Sequence, residues 1–149
     1  MERIRVSTGS RQCLEDITAQ VSDAVRRSGV GEGICHLFVP HTTAGLVINE
    51  NADPAVVRDL LEKLEAMAPS DARYHHTEGN AHAHIKSSLV GQSASAPVAG
   101  GRLGLGRWQA VFFAEFDGPR EREVLVTVVA ARPAETPAGS VSRERQAEP

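Results

Sequence analysis

The sequence predicts one α+β domain with a largely antiparallel sheet or sandwich and two main helices. Segments with strand patterns come before, between and after two segments of helical periodicity. Strands and helices do not alternate regularly, which argues against a parallel sheet. A chain of 149 residues, 41% hydrophobic and 23% charged, fits a single core. We assign residues 1–131 to this domain and expect 132–149, rich in Pro, Ala, Glu, Ser and Arg, to be a disordered tail.

The first third of the chain contains three predicted strands and one predicted helix. Residues 3–7 alternate charged and apolar side chains, which is typical of a half-buried strand, and a short second strand follows at 12–15. Apolar residues then recur at helical spacing over 16–29, which predicts a helix of about three turns. Residues 31–39 begin with glycines and continue as an apolar run, which predicts a buried strand that ends at Pro40.

The middle of the chain contains the second main helix and a long loop. A polar HTT corner leads into a short apolar strand at 46–48. Asp53 followed by Pro54 is typical of a helix start, and a broad apolar stripe continues to Met67. Residues 70–83 are polar and without periodicity, so they predict a loop longer than the usual connection of about 4–6 residues. A single helical turn is expected near 85–89.

The last part of the domain is predicted to be extended. Residues 91–98 form a Ser/Ala-rich strand or extended segment, and residues 108–116 form a strand. Asp117-Gly118-Pro119 predicts a hairpin turn to a returning strand at 124–129.

Composition excludes several classes of function. The net charge of −3, the pI near 6.1 and the shortage of aromatic residues argue against a nucleic-acid partner. No apolar run approaches the roughly 20 residues that span a bilayer, and the N-terminus lacks the apolar segment of a secretory signal. We therefore expect no membrane partner and a cytoplasmic location. Cys13 and Cys35 fall in predicted strands and are expected to be reduced.

Histidines are concentrated in the stretch YHHTEGNAHAHIKSS, residues 74–88, which holds four of the six. A fifth, His41, opens the HTTAG segment. Imidazole is a common neutral metal ligand and titrates near neutrality, so a polar loop rich in it points to function. We expect the fold to bring this loop and the HTTAG segment together.

Several long motifs occur in a fixed order: PHTTAGLVINENADP, HIKSSLVGQSASAPV, GRLGLGRWQ and FAEFDGPRER. In these motifs the chain resembles the YjbQ family, described as secondary thiamine-phosphate synthase enzymes, over roughly 16–129. The resemblance implies an α+β sandwich that assembles as a homotrimer, with polar motifs near the subunit interface. It also implies the joining of a pyrimidine diphosphate to a thiazole phosphate with loss of diphosphate. Arg107 stands where the family's TWQ motif has threonine, which puts a role for that hydroxyl in doubt.

The resemblance favours a divalent metal ion, zinc or magnesium, over the simpler interpretation of solvated loop histidines. The expected metal ligands are His41, His76 and His84, with His84 also counted as catalytic. His75 and His82 are expected at the surface, and His36 within a strand.

The other candidate residues surround these histidines in sequence. Asp53 and Glu50 are expected to orient groups or transfer protons, although Asp53 is first of all a helix N-cap. A small phosphorylated metabolite is the expected ligand. Its expected contacts are Asn51, Lys86, Ser87, Gln109 and Arg120, with turn formation the simpler role for Asn51 and a solvated face the alternative for Lys86.

Two other functions fit the same residues. One is a metal-dependent hydrolase of a small phosphorylated or acyl metabolite, which uses metal-bound water. The other is a non-catalytic ligand-binding trimer.

Overall fold

A computed structural model describes residues 1–132, so all of the predicted tail except Arg132 lies outside the described residues. These residues contain three helices: α1 (Thr18–Ser28), α2 (Pro54–Met67) and α3 (Ala81–Val90). The strands are β1 (Glu2–Ser7), β2 (Cys13–Asp16), β3 (Gly33–Phe38), β4 (Ala44–Glu50), β5 (Ser93–Ala99), β6 (Arg102–Leu103), β7 (Gln109–Glu115) and β8 (Glu121–Ala130).

The strands form two antiparallel sheets, in the orders β1-β8-β3-β5-β6 and β2-β7-β4. Their facing side chains make one apolar core, to which β1, β3, β8 and α1 contribute from one side and β4 and β7 from the other. The predicted α+β class with mostly antiparallel strands is confirmed, with a third helix in addition to the two predicted.

Local sequence signals explain the first two helices. The Asp53 carboxylate accepts a hydrogen bond of 2.8 Å from the Ala55 N–H and so caps α2. Gly29 ends α1 in the left-handed conformation, with φ of 70°. The N-cap of α1 is Ile17, which makes no side-chain cap, and the preceding Asp16 carboxylate accepts the Thr18 N–H at 2.9 Å.

The third helix is much longer than the expected turn at 85–89, and that prediction is wrong. Its buried face consists of Ala83, His82, Lys86 and Ser87, three of which are polar. A search for apolar periodicity cannot detect such a face. As a result, His82 and His84 lie on a helix, and the loop ends at Asn80.

The two polar corners connect the sheets to each other. The HTT corner joins β3 of the larger sheet to β4 of the smaller one, and the 116–120 corner joins β7 to β8 in the reverse direction. The predicted Asp117-Gly118-Pro119 hairpin is therefore wrong, because β7 and β8 pair with other strands. A Cβ atom at Gly118 would lie 2.9 Å from Thr8 Oγ1 and against the Ser10 carbonyl, so this corner packs too closely for a larger residue.

Across residues 1–132, none of the helices has the length and apolar character needed to cross a membrane.

Candidate functional site

The 116–120 corner connects the HTT corner to the start of α3. The Phe116 N–H donates to the Thr43 carbonyl at 3.1 Å. On its other side, Asn80 Nδ2 donates to Asp117 Oδ2 at 3.0 Å. The HTTAG segment and the C-terminal end of the histidine-rich loop therefore lie on either side of one turn.

A buried ion pair fixes this corner. Arg122 donates to both carboxylate oxygens of Glu115, at 2.8 and 2.7 Å, and the side chains are 8% and 0% exposed. Arg122 also donates to Thr43 Oγ1 at 2.9 Å, and Thr8 Oγ1 donates to Glu115 at 3.1 Å. The pair thus joins β7, β8 and the HTT corner through charge-assisted bonds.

The carboxylates of this corner are held in the ionised form. Burial by itself would raise the pKa of Glu115, but hydrogen bonds from Arg122, the Asp117 N–H and Thr8 outweigh it and lower the pKa. Burial likewise opposes ionisation of Asp117, and its bonds with Asn80 and Arg120 lower its pKa. Both groups therefore act as fixed negative charges at neutral pH.

His41 lies on the other side of the corner from α3, at a cavity of about 230 Å³ lined by Arg5, His41, Glu121, Arg122 and Glu123. Its Nε2 accepts a hydrogen bond of 3.0 Å from the Glu123 N–H, so the neutral ring carries its proton on Nδ1. Burial and the nearby Arg122 charge lower the pKa of His41.

The lowered pKa of His41 predicts a loss of stability in mild acid. In the unfolded chain the ring takes up a proton near pH 6.5, whereas in the folded chain it does so only at lower pH. The unfolded state thus binds more protons in this window, and stability falls as the pH drops from about 7.5 to 5.5.

This effect is measured as the change in Tm over that pH range. We expect the change to be smaller in His41→Gln, because glutamine can still accept the Glu123 N–H but does not titrate. The exposed His75→Gln serves as control. If the slope of Tm against pH is the same in His41→Gln as in the wild type, His41 is not the source of the acid sensitivity. His82, whose pKa is also lowered, accounts for part of the slope that remains.

His76 and His84 form a close pair, with ring centroids 5.2 Å apart and perpendicular planes. Glu78 adds a carboxylate, because its Oε2 lies 3.7 Å from His76 Nε2. His41 is not part of this cluster. Within residues 1–132, no group of three or more His, Cys, Asp or Glu side chains is already arranged to hold a metal ion. The structure therefore brings together two of the three expected histidines.

His82 is buried, with 1% of its surface exposed, in contrast to the surface position expected for it. Arg11 Nη2 donates to its Nε2 at 3.3 Å, which leaves the proton of the neutral ring on Nδ1. That Nδ1 and Asn80 Oδ1 are both buried without a hydrogen-bond partner among the described residues. Burial and the charges of Lys86 and Arg11 lower the pKa of His82, so the ring is neutral at pH 7.

Lys86 and Ser87 do not face solvent, although both were expected to contact a ligand phosphate. Lys86 is fully buried and forms an ion pair with Glu65 of α2. The Ser87 hydroxyl donates to the Ala44 carbonyl at 2.7 Å. Both side chains therefore have partners inside the protein.

The remaining candidates lie at the surface. Asn51 donates to Asp16 Oδ2 at 2.6 Å, and Gln109 Oε1 accepts from the Gly106 N–H at 2.8 Å, so each has a local structural bond. Glu50 ends β4 opposite Gln109. Arg120 Nη2 donates to Asp117 Oδ2 at 2.9 Å, and its side chain is 53% exposed. None of these residues, nor Asp53, bonds to the three histidines among the residues described.

Sequence reasoning missed Glu78 and Glu115, and it considered Arg122 only as an anion contact beside Arg120. Glu78 stands two residues after His76, and a carboxylate inside a histidine-rich loop is a signal that can be recognised. Glu115 and Arg122 are separated by the corner, and no local pattern indicates that they form a buried pair.

Comparison with known proteins gives one family over almost the whole chain. The family model described as "UPF0047 protein YjbQ-like" matches residues 2–131. A UPF0047 protein of Methanocaldococcus jannaschii is 47% identical over 127 residues, which cover 85% of this chain and 92% of the relative. The UPF0047 protein YugU of Bacillus subtilis is 41% identical, over 87% of this chain and 98% of the relative.

Solved structures agree with this assignment. A crystal structure of a YjbQ/UPF0047 family protein from Clostridium acetobutylicum has a TM-score of 0.85 and 47% identity, over 87% of this chain and 100% of that chain. A YbjQ-like protein of unknown function from Sulfolobus solfataricus has a TM-score of 0.84 and 38% identity, over 87% of this chain and 96% of that chain.

These relatives correct the expected activity. They are named only as UPF0047 or YjbQ-like proteins, without any reaction, and one is described as having unknown function. The expectation of thiamine-phosphate synthase activity finds no support in them and is wrong as an assignment for this chain. What the matches do establish is descent and fold: the chain belongs to the UPF0047 YjbQ-like protein family.

Proposed function

We propose that the protein binds a divalent metal ion, preferably zinc, through His76, Glu78 and His84, and that the site takes a small phosphorylated metabolite. The observation that carries this proposal is the 5.2 Å separation of the two imidazole rings. Two imidazoles bound to one tetrahedral zinc at about 2.0–2.1 Å also have ring centroids about 5 Å apart.

The chemistry of the donors favours zinc over magnesium. Imidazole nitrogen suits zinc, whereas magnesium takes mainly oxygen ligands. Glu78 is a suitable third ligand because its side chain is 75% exposed, and its Oε2 lies 3.7 Å from His76 Nε2, so a small rotation completes the set. Three protein ligands leave a fourth position for water or a ligand, and an ion held there polarises a phosphate oxygen.

The start of α3 supports an anionic ligand. Its first turn contains no acidic residue, and Asn80 makes no side-chain cap: its Nδ2 donates to Asp117, and its Oδ1 has no partner among the described residues. The free N–H groups of a helix start attract anions. The exposed Arg11 lies beside His82, whereas Arg120 is paired with Asp117. The helix start and the Arg11 charge suit a phosphate group close to His84.

Zinc titration of untagged, metal-free protein by calorimetry tests the proposal. We expect one zinc per chain, and an affinity at least about 100-fold lower in His76→Ala and in His84→Ala, because loss of a mere supporting residue already costs about 10–100-fold. His75→Ala, a neighbouring exposed histidine, is the matched control. Absence of zinc binding by the wild type, or equal affinity in His84→Ala, contradicts the proposal.

We also propose that the protein assembles as a homotrimer through the outer face of the larger sheet. Three large apolar side chains lie exposed on this face, Ile34 at 54%, Phe38 at 43% and Val129 at 56%. Ile34 and Val129 are direct cross-strand neighbours, as are Phe38 and Leu125, and the His36–Thr127 pair lies between these two apolar pairs on the same face. Exposed apolar groups of this kind mark interfaces, and a repeated head-to-tail contact closes into a ring.

A further inference from the structure

Lys86 is one of the largest fully buried side chains of the described residues, with none of its surface exposed. Its Nζ donates to the Glu65 carboxylate of α2 and, at 2.9 Å, to Gln12 Oε1. Gln12 Nε2 in turn donates to Glu65 Oε2 at 2.7 Å. A buried ammonium group is tolerated only with such partners, so α3, α2 and the segment before β2 meet at one charged centre.

Glu65 also holds the beginning of the loop 68–80. Its second oxygen, Oε1, accepts the Ser70 N–H at 2.7 Å. The Tyr74 hydroxyl donates to the Pro69 carbonyl at 2.7 Å, which folds the loop back on its own start. The same loop later carries His76 and Glu78. The bond from Lys86 to Glu65 therefore fixes the direction in which the loop leaves α2.

Besides this bond, Ala68 fixes this end of α2: it follows the helix, is buried, and its N–H donates to the Leu64 carbonyl. The helix has no fully buried side chain, and only Leu61 and Leu64 pack on the small cluster around Phe116. The other end of the loop is held separately by the bond from Asn80 to Asp117. The loop is thus fixed at both ends, and at its start the Lys86–Glu65 ion pair contributes to fixing it.

We infer that Lys86 is a positioning residue: through Glu65 it holds the loop 68–80 so that His76 and Glu78 stay against His84. Lys86 and His84 lie on the same helix, so the ion pair ties the loop to the helix that carries the second imidazole. This inference rests on the proposed metal site. A residue that only stabilises the fold would affect zinc affinity no more than its loss of stability explains. For Lys86 we expect a larger effect on zinc affinity than that.

Lys86→Met tests the inference, because it removes the ammonium group while filling much of its volume. Glu65 is partly exposed, with 37% of its side chain accessible, so it remains solvated in the variant. We expect zinc affinity to fall about 10–100-fold. With Co²⁺ in place of zinc, we expect weaker visible absorption bands, because loss of a protein ligand shifts the ion towards octahedral coordination by water. Lys63→Met, at an exposed lysine of α2, is the matched control.

A double variant, Lys86→Met with Glu65→Gln, separates positioning from folding. It replaces both members of the ion pair with neutral side chains, so its Tm is expected near that of the wild type, while its zinc affinity stays low. Wild-type zinc affinity and an unchanged Co²⁺ spectrum in Lys86→Met overturn the inference. Recovery of affinity together with Tm in the double variant also overturns it.

Amide hydrogen exchange of the metal-free proteins separates this inference from the metal proposal. We expect faster exchange at residues 70–78 in Lys86→Met than in the wild type, with Lys63→Met unchanged. Unchanged exchange overturns the role of Lys86 whether or not zinc binds. If exchange is faster in Lys86→Met but the wild type binds no zinc, the metal proposal is overturned. The role of Lys86 in positioning the metal ligands is then overturned as well.

Discussion

Arg122→Met is expected to lower the free energy of unfolding by about 3–5 kcal/mol, the cost of breaking a buried ion pair from one side. Glu115 is fully buried and receives two of its hydrogen bonds from Arg122. Without the guanidinium, its carboxylate stays desolvated beside Thr8 and backbone N–H groups that only partly compensate its charge. Urea unfolding at pH 7 and constant protein concentration measures the loss.

Two further variants show whether this loss comes from the unpaired charge. Arg122→Met combined with Glu115→Gln removes both charges and is expected to recover a large part of the stability, because a neutral buried pair avoids the desolvation cost. Arg5→Met removes an exposed arginine of β1 and is expected to change stability by less than about 0.5 kcal/mol. A loss below about 1 kcal/mol in Arg122→Met contradicts a structural role for the pair.

Ile34→Glu is expected to convert a trimer into monomers. It places a charge beside Val129 on the exposed face that carries Ile34, Phe38 and Val129, and burying that charge in a subunit interface is very unfavourable. Light scattering after size-exclusion chromatography is expected to give about three times the chain mass of 15.9 kDa for the wild type and the single-chain mass for the variant.

Leu89→Glu is the matched control, since Leu89 is equally exposed, at 53%, but lies on α3. It is expected to leave the mass unchanged. A monomeric wild type removes the basis for the trimer. A trimer that survives Ile34→Glu and dissociates in Leu89→Glu moves the interface to the helices.

Much of the secondary structure could be predicted because its signals are local. The Asp53-Pro54 start and the apolar stripe that follows define α2 from Pro54 to Met67, as observed. The alternation in residues 3–7 gives β1, because side chains of a strand point to opposite faces in turn. These patterns depend on neighbours in sequence, so they can be recognised from the amino-acid sequence alone.

The errors have a common physical cause. The Asp117-Gly118-Pro119 turn is a correct local feature, but which strands its two ends join depends on partners far away in sequence, β1, β3, β2 and β4. The helix α3 was underestimated because its buried face contains Lys86 and His82, and their burial is possible only with partners from α2 and the β1–β2 connection. Local periodicity reveals neither the pairing of the strands nor the distant partners of Lys86 and His82.

The candidate site was likewise predictable only in part. The sequence by itself determined the family, the α+β class with mostly antiparallel strands and the concentration of histidines in one stretch. Only the tertiary structure decided that His76 pairs with His84 while His41 binds the Glu123 N–H, and that Lys86 turns inward to Glu65. The reason is that residue type fixes what a side chain can do, whereas its distance to a partner and its access to water are set by the packing of segments far apart in the chain.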